Sequence, residues 1–278
     1  MRMLTLNTHS LIEQNYEEKL VYFVNAIVKY EPDIIALQEV NQTSDESSLS
    51  DKFLKGYTQC QSAVPLKKDN HAYRVVKLLL EKNINYYWTW LPIKNGYDKY
   101  DEGLAILSKK EILETDTVLV SCINDYNNWK TRKILGIYSG DEWFYSVHLG
   151  WWDDKSDPFS DQWSRLSKRL TGKENVWLMG DFNNCAEIRN EGYDLIKKSG
   201  WQDTFEIAGD KDDGITVGTV IDGWKDKITD TNGMRIDFIW TNSENIIERT
   251  NVIFNGKNEP VISDHYGVMI TVKGGSGA

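Results

Sequence analysis

Polar side chains that could act on a phosphate ester recur in this sequence where apolar runs end. They are Asn7, Glu39, Glu102, His148, Asp181, Asn183, Asp237, Asp264 and His265. An oxygen-rich set of this kind suits Mg²⁺, with Mn²⁺ as a substitute, better than structural Zn²⁺. A hard cation beside two imidazoles and an Asp–Asn pair favours phosphate ester hydrolysis, in which a carboxylate activates water and an imidazolium stabilises developing charge.

Taken singly, each of these residues has an ordinary structural interpretation. The aspartate of Gly180-Asp181-Phe182-Asn183 is typical of a turn, and Asp264-His265 is compatible with an exposed pair. The chain has only four histidines, however, and two of them follow apolar runs in polar company. The joint pattern therefore favours one site at which several strand ends converge.

The apolar pattern predicts the strands and helices that must position these residues. Strand 3–7, helix 16–30 and strand 33–40 occupy the first forty residues, and Pro32 marks the end of the helix. Further strands are predicted at 85–93, 103–108, 118–122, 133–138, 143–149, 176–179, 236–241, 246–254 and 268–272, helices at 72–82 and 161–170, a turn at 139–141 and a loop at 41–50. This mixture predicts an α/β sandwich of two packed sheets with helices outside.

Composition limits the class of protein. The 278 residues are 40% hydrophobic and 27% charged, which excludes a disordered chain, a collagen-like chain and a disulfide-rich miniprotein. Neither repeats nor a composition shift divides the chain, so we expect a single domain over 1–273 and a flexible tail at 274–278. The net charge of −10 argues against a protein that binds nucleic acid by broad attraction to phosphates.

The expected location is the cytoplasm, with no membrane partner. The N-terminus lacks the features of a signal peptide, and no apolar run approaches the roughly 20 residues of a membrane span. Three cysteines, at positions 60, 122 and 185, have no zinc-like spacing. Oligomeric state is not indicated.

A series of motifs resembles one large enzyme family. Leu6-Asn7-Thr8, Leu37-Gln38-Glu39-Val40, Ser146-Val147-His148-Leu149, Gly180-Asp181-Phe182-Asn183, Arg235-Ile236-Asp237-Phe238-Ile239 and Ser263-Asp264-His265 follow the order of the endonuclease/exonuclease/phosphatase superfamily. The resemblance implies a four-layer αββα sandwich with two mainly antiparallel sheets. It also implies metal-dependent phosphoesterase chemistry, without fixing the substrate.

The resemblance implies a role for each matching residue. The implied metal ligands are Asn7, Glu39 and Asp264, and the implied catalytic set is His148, Asp181, Asn183, Asp237, His265 and Glu102. Asp181 would orient or deprotonate the attacking water, and Asn183 would hold a phosphoryl oxygen. Both imidazoles would face the phosphate, with Asp237 fixing the ring of His265 and Glu102 orienting His148.

Finer motifs narrow the resemblance to one branch of this family. Leu6–Ser10, Gly103–Ser108 and His148–Trp152, with Asp157–Phe159 and Gln162-Trp163, are similar to a branch from low-GC Gram-positive bacteria. Some members of that branch are cytoplasmic maltose 6'-phosphate phosphatases. The implied reaction is hydrolysis of a small sugar phosphate, with maltose 6'-phosphate as the first candidate.

The residues that are candidates for contacting the substrate also have structural interpretations. Trp151 and Trp152 are candidates for a sugar platform or for a loop packed on its own helix. His9 lies near the predicted rim of the site. His71 and Arg74 are candidates for a substrate loop, in which Arg74 would pair with phosphate. The alternative is that Asn70 simply caps the following helix.

Two other functions are alternatives to a sugar phosphatase. A phosphodiesterase of the same superfamily, either a nuclease or a sphingomyelinase-like enzyme, is the main alternative. Family nucleases often carry a basic residue shortly after the Gln-Glu pair, whereas Gln38-Glu39-Val40-Asn41-Gln42 has none, which disfavours nucleic acid. A binding protein that has lost catalysis is disfavoured because Glu39, Asp181 and His265 are all present.

Overall fold

Two packed β-sheets form the centre of the protein in the computed structural model, which describes residues 1–50, 54–219, 221, 224 and 233–273. The strands of this part are β1 Arg2–Asn7, β2 Ile34–Thr43, β3 Tyr87–Gly96, β4 Tyr100–Ser108, β5 Glu114–Leu119, β6 Lys133–Ser139, β7 Glu142–His148, β8 Val176–Asp181, β9 Gln202–Asp203, β10 Asp210–Lys211, β11 Asp237–Thr241, β12 Ile247–Ile253 and β13 Gly267–Val272. The helices are α1 Tyr16–Tyr30, α2 His71–Glu81, α3 Phe159–Leu170, α4 Gly192–Lys198 and α5 Thr204–Ile207, with a 3₁₀ helix at Ser10–Ile12.

The strand order confirms the predicted sandwich of mainly antiparallel sheets. One sheet has the order β10-β12-β13-β1-β2-β4-β3, and the other has the order β5-β6-β7-β8-β11-β9. The pairs β1–β2, β7–β8 and β10–β12 are parallel, and the other paired neighbours are antiparallel. Each sheet therefore has a parallel pair near its middle.

Three apolar clusters separate the four layers. In β2, Ile34 and Ala36 face the second sheet, whereas Ile35 and Leu37 pack under α1 and α2. This alternation follows from the two-residue period of a strand and explains why the run is apolar on both faces. The outer face of the second sheet packs against α3 and α4.

The register of the parallel pairs brings polar strand ends to one rim. Asn7, the last residue of β1, pairs with Gln38 at the register shift of β2, and His148 pairs with Asp181 at the ends of β7 and β8. Asp237, the first residue of β11, lies opposite Asp181 in the antiparallel direction. The carboxyl ends of both parallel pairs thus form one edge of the sandwich.

Several predicted boundaries were wrong at strand ends. The loop predicted from residue 41 begins later, because β2 continues to Thr43 and pairs with β4. Gln42 is bonded inside the protein, because its Nε2 donates to Asp101 Oδ2 at 3.0 Å. The strand predicted at 118–122 is β5, which ends at Leu119. Helix α4 was not predicted, and 274–278 lies outside the described residues.

Among the described residues, no helix combines the length and the apolar character that crossing a membrane requires.

The prediction that His71 and Arg74 line a substrate loop was wrong. His71 is buried between α1 and α2, where Tyr16 Oη lies 2.9 Å from its Nδ1 and its ring stacks on Phe23. Both guanidinium Nη atoms of Arg74 donate to the carboxylate of Glu17 on α1, at 2.8 and 2.6 Å. Asn70 caps α2 by accepting from Tyr73 N, so the local capping interpretation holds.

Burial of His71 predicts an acid-sensitive stability. Burial, with the neighbouring charge of Arg74, lowers the pKa of His71 to about 3. The folded protein keeps this ring neutral while the unfolded chain protonates it near pH 6.5, so stability falls as pH drops below about 6.5. At pH 5 the expected loss from this residue is about 2 kcal/mol. Urea unfolding at pH 8 and pH 5 should show this loss, and His71→Gln should reduce it; an equal loss in both proteins would contradict the prediction.

Candidate active site

Asp181 is the residue on which the site converges. Its Oδ2 accepts from Asn7 Nδ2 at 3.2 Å and from Asn183 Nδ2 at 3.3 Å. The Nε2 atoms of His148 and His265 lie 3.6 and 3.9 Å from the same oxygen. Asp181 Oδ1 accepts from the backbone N–H of Asn183 at 2.8 Å. One carboxylate thus contacts polar groups from four segments of the chain.

Close packing of the two sheets beneath Asp181 requires a glycine. Gly180 has φ +146°, and a Cβ at this position would lie 2.0 Å from the carbonyl oxygen of Val147 and 2.8 Å from Gln38 Nε2. Gln38 Nε2 in turn donates to Ser146 Oγ on the other sheet at 3.0 Å. The Gly180-Asp181 step therefore places the carboxylate directly above a hydrogen bond that joins the sheets.

His265 forms a charged pair with Asp237. Its Nδ1 lies 2.9 Å from Asp237 Oδ2, and both side chains are buried. Burial opposes protonation, but the negative charges of Asp237 and Asp181 outweigh it and raise the pKa of His265 to about 10. The ring is therefore an imidazolium at neutral pH, with its Nε2–H directed towards Asp181.

The second imidazole, that of His148, is neutral. Burial and the positive charges of Arg132, Lys94 and His265 hold the pKa of His148 well below its ordinary value. Burial also raises the pKa of Asp181 to about 7. The positive charge of His265 lowers this pKa, and the negative charge of Asp237 raises it. The site thus combines one charged imidazole, one neutral imidazole and a carboxylate that can take up a proton near neutral pH.

Glu39 lies where a metal ion would relieve crowded negative charge. Its Oε1 accepts from Asn7 Nδ2 at 2.9 Å, and its backbone has φ +50° at the register shift between β2 and β4. Burial and the nearby carboxylates of Glu102 and Asp264 raise the pKa of Glu39. A register shift of this kind is a β-bulge, which turns a side chain away from the paired strands. A half-buried carboxylate among others is a donor set that fits a divalent cation.

The described residues also include two compact groups that meet the geometry of ion binding. One is His9, Glu13 and Asp264 at the rim, and the other is Asp181, Asp237 and His265. In the first group, His9 Nδ1 lies 2.7 Å from Glu13 Oε1 and 3.9 Å from Asp264 Oδ1. Asp264, expected as a ligand, thus lies at the rim beside His9. The second group already holds an internal cation, the imidazolium of His265.

Glu102 has a different partner from the one expected. Its Oε1 lies 3.2 Å from Lys94 Nζ, so the structure shows an ion pair with Lys94 in place of the predicted orientation of His148. The register of β3 and β4 shifts between Pro92 and Lys94, and this shift sets Lys94 opposite Glu102. Lys94 Nζ also donates to the carbonyl oxygen of Trp129 at 2.9 Å.

A cleft of about 440 Å³ opens above these residues. Besides the expected residues it is lined by Trp129, and by Lys94, Tyr97 and Arg132, which the sequence did not single out as site residues. Lys94 could have been found as the lone charge that follows the apolar run 88–93. Arg132 precedes β6 without a comparable signal.

Some tryptophans near the site line the cleft, and others pack against neighbouring residues. Trp151 lines the cleft, and its ring centroid lies 6.2 Å from that of Trp129, which is 55% exposed. Trp152 does not line this cleft but packs partly against the α3 side of the sandwich. Trp224 Nε1 donates to Asn183 Oδ1 at 3.2 Å and so fixes the orientation of that amide.

The match to a family model decides the classification. Residues 4–265 match the model of the endonuclease/exonuclease/phosphatase family. The chain belongs to this family. A comparison with curated proteins returned no match. Membership accounts for the strand ends that meet at Asp181, and it leaves the substrate open.

Solved structures share the fold over nearly the whole chain. A protein of the endonuclease/exonuclease/phosphatase family from Leptotrichia buccalis is 29% identical, with a TM-score of 0.85, covering 99% of this chain and 100% of the other. A mannosyl-6-phosphatase from Bacteroides thetaiotaomicron is 15% identical, with a TM-score of 0.64 and coverage of 99% and 100%. A 3'-5' exonuclease from Neisseria meningitidis is 16% identical, with a TM-score of 0.62 and the same coverage. Proteins with different named activities therefore have a fold similar to this one.

Metal binding should depend on Glu39. Glu39→Gln removes a negative charge at the cleft, so we expect Mn²⁺ affinity, measured by calorimetry, to fall more than about tenfold; even changes to groups that only support a ligand cost about 10- to 100-fold. Glu114→Gln, at the start of β5, is the matched control and should bind normally. If Asp237→Asn abolishes binding while Glu39→Gln does not, the ion belongs to the Asp181 group instead.

Proposed function

We propose that this protein is a Mg²⁺-dependent phosphomonoesterase that hydrolyses a small sugar phosphate, with maltose 6'-phosphate as the first candidate. The observation that carries the proposal is the convergence of two amides and two imidazoles on Asp181 at the floor of a cleft. These are the groups that acid–base and electrostatic catalysis at phosphorus require.

Asp181 is the proposed base. Water attacks phosphorus in line, a bond forms between the water oxygen and phosphorus, and the bond from phosphorus to the sugar oxygen breaks. Asp181 takes one proton from the water, and the leaving oxygen takes a proton from solvent. A carboxyl whose pKa is raised to about 7 is suited to accept this proton at neutral pH.

The charged imidazole and the amide stabilise the phosphoryl group. The Nε2–H of His265 donates to a non-bridging oxygen, since Asp237 holds the opposite side of the ring and keeps it protonated. Asn183 Nδ2 donates from the other side by exchanging its long bond to Asp181 for one to the phosphoryl group. Its bond to the carbonyl oxygen of Leu149 and the bond from Trp224 to its oxygen fix the orientation of the amide. His148, being neutral, contributes a hydrogen bond without a second positive charge.

Glu39, Asn7 and Asp264 are the residues proposed to hold Mg²⁺. When bound, the ion would neutralise charge on the phosphoryl oxygens. Asn7 connects both parts of the site, because its Nδ2 donates to Glu39 and to Asp181. The amide therefore holds the base at a fixed position relative to the metal ligand.

Cleft size and composition support a small sugar phosphate as the substrate. A volume of about 440 Å³ lies within the range for small-molecule sites. Trp129 and Trp151 offer aromatic faces beside the phosphate-binding residues, which suits the apolar face of a sugar ring. The mannosyl-6-phosphatase with the same fold supports this substrate class. Because phosphorylated sugars are cytoplasmic metabolites, the proposal includes a cytoplasmic location.

A phosphodiesterase is the alternative function. The Neisseria relative named as a 3'-5' exonuclease has the same fold, and Lys94 and Arg132 place positive charge in this cleft. The net charge of −10 and the absence of a basic residue after Glu39 weigh against a nucleic-acid substrate.

A substrate panel tests the proposed function. Phosphate release with Mg²⁺ should be strongest from maltose 6'-phosphate when compared with trehalose 6-phosphate, glucose 6-phosphate and a nucleotide monophosphate. Supercoiled plasmid, assayed in parallel, should stay intact. Plasmid nicking with an inactive panel would favour the phosphodiesterase.

Loss of the proposed base should remove activity but not the fold. Asp181→Asn keeps the size of the side chain, but the amide cannot accept the proton, so kcat should fall by at least about 10²- to 10⁴-fold. Steady-state kinetics on the best substrate of the panel measures this loss, and circular dichroism checks the fold. Wild-type turnover by a folded Asp181→Asn protein would refute the role.

Replacing the exposed Trp129 should raise KM only for substrates with a large leaving group. Trp129→Ala removes an aromatic face from the cleft wall, so KM for a disaccharide phosphate should rise about tenfold. KM for glycerol phosphate, which has no ring to stack, should change little. Trp152→Ala, outside the cleft, is the control. A uniform rise for both substrates would indicate a structural role for Trp129.

A further inference from the structure

Arg132 is a buried cation in the cleft without a carboxylate partner among the described residues. It is only 5% exposed and lines the cleft. Its Nη1 donates to the carbonyl oxygen of Trp129 at 3.2 Å, while its buried Nε has no hydrogen-bond partner within the described part of the chain. A guanidinium in this state leaves both charge and donor capacity unsatisfied.

Three arginines elsewhere in the fold are paired with carboxylates. Arg235 is also buried, and its Nη1 lies 2.6 Å from Asp203 Oδ2. Arg165 and Arg169, which are more exposed, pair with Asp157 and Asp116 at 2.8 and 2.7 Å. Burying an unpaired charge is expensive, so a folded protein keeps one chiefly where a ligand supplies the opposite charge.

Among the described residues, Arg132 forms no ion pair with a carboxylate of the cleft. Glu102 is occupied by Lys94 at 3.2 Å, and Asp181 is surrounded by two amides and two imidazoles. Burial, and after it the positive charge of Arg132, lowers the pKa values of Lys94 and His148, so the charge of Arg132 acts on groups of the cleft. The positive side of the cleft is therefore open to an anion from outside.

We propose that Arg132 is a catalytic residue that binds the non-bridging phosphoryl oxygens of the substrate. The proposal rests on the phosphomonoesterase function proposed above. A guanidinium matches a phosphate by donating from two nitrogens in one plane, which an ammonium cannot do. Arg132 then stabilises the phosphoryl charge from the protein side, independently of the residues assigned to the metal.

Lys94 is a positioning residue in this arrangement. Its ammonium compensates Glu102 and, like Arg132, donates to the carbonyl oxygen of Trp129. Two cations on one carbonyl hold the segment that precedes β6 against the cleft. Arg132 is thereby left with its charge uncompensated and its side chain fixed.

Binding of inorganic phosphate to the full chain tests this role without relying on turnover. With Mn²⁺ present, calorimetry should show at least about tenfold weaker phosphate binding for Arg132→Gln, and a smaller loss for Arg132→Lys. Lys133→Gln removes the same charge at the next residue, which does not line the cleft, and should bind normally. Wild-type affinity in folded Arg132→Gln would overturn the proposal.

Kinetics separates this inference from the proposed function. With the best phosphomonoester, kcat/KM should fall about 100-fold in Arg132→Gln, and added guanidinium ion should partly restore Arg132→Ala. Turnover by the wild type together with unaffected Arg132 variants would overturn the role of Arg132 alone. If the wild type hydrolyses no phosphomonoester but phosphate binding still requires Arg132, the anion site stands and the proposed function fails.

Discussion

The site depends on a hydrogen bond that joins the two sheets under Asp181. Gln38 Nε2 on β2 donates to Ser146 Oγ on β7, and that hydroxyl donates to the carbonyl oxygen of Leu37 at 2.9 Å. Both side chains are fully buried, so their polar atoms are satisfied only while the sheets keep this register. Gly180 permits the same approach from β8, because a side chain there would strike Val147 and Gln38. The strand ends that carry the chemistry are held together by this contact.

Charge is separated within the cleft. Glu39 and Asp264 supply negative charge where a cation would bind, whereas Lys94 and Arg132 supply positive charge near His148. The imidazolium of His265 lies 3.9 Å from Asp181 and compensates its charge. An anionic group that enters the cleft therefore meets the imidazolium of His265 and the guanidinium of Arg132. This arrangement would let one small cleft hold the proposed metal ion and accept the proposed phosphate.

Sequence patterns predict the residues whose position follows from strand ends, and they miss those that depend on remote packing. Asn7 and Asp181 are the last residues of the short apolar strands β1 and β8, so strand ends predict their position. Arg132 and Trp129 lie before β6, in a segment to which Lys94, from another sheet, is bonded. The error at His71 and Arg74 has the same cause, since their partners lie on α1, more than fifty positions earlier.

The unusual tryptophan content reflects packing far more than recognition. Trp88, Trp90, Trp177 and Trp240 are fully buried, and they fill space between or beside the sheets. Trp129 differs because its side chain is exposed, while its backbone carbonyl oxygen is held by two buried cations. Its ring lies against that of Trp151, which limits the conformational entropy lost when a ligand stacks on it. The chemistry therefore lies at strand ends shared across the family fold, while the side of the cleft that can distinguish leaving groups is built by the segments around Trp129 and Trp151.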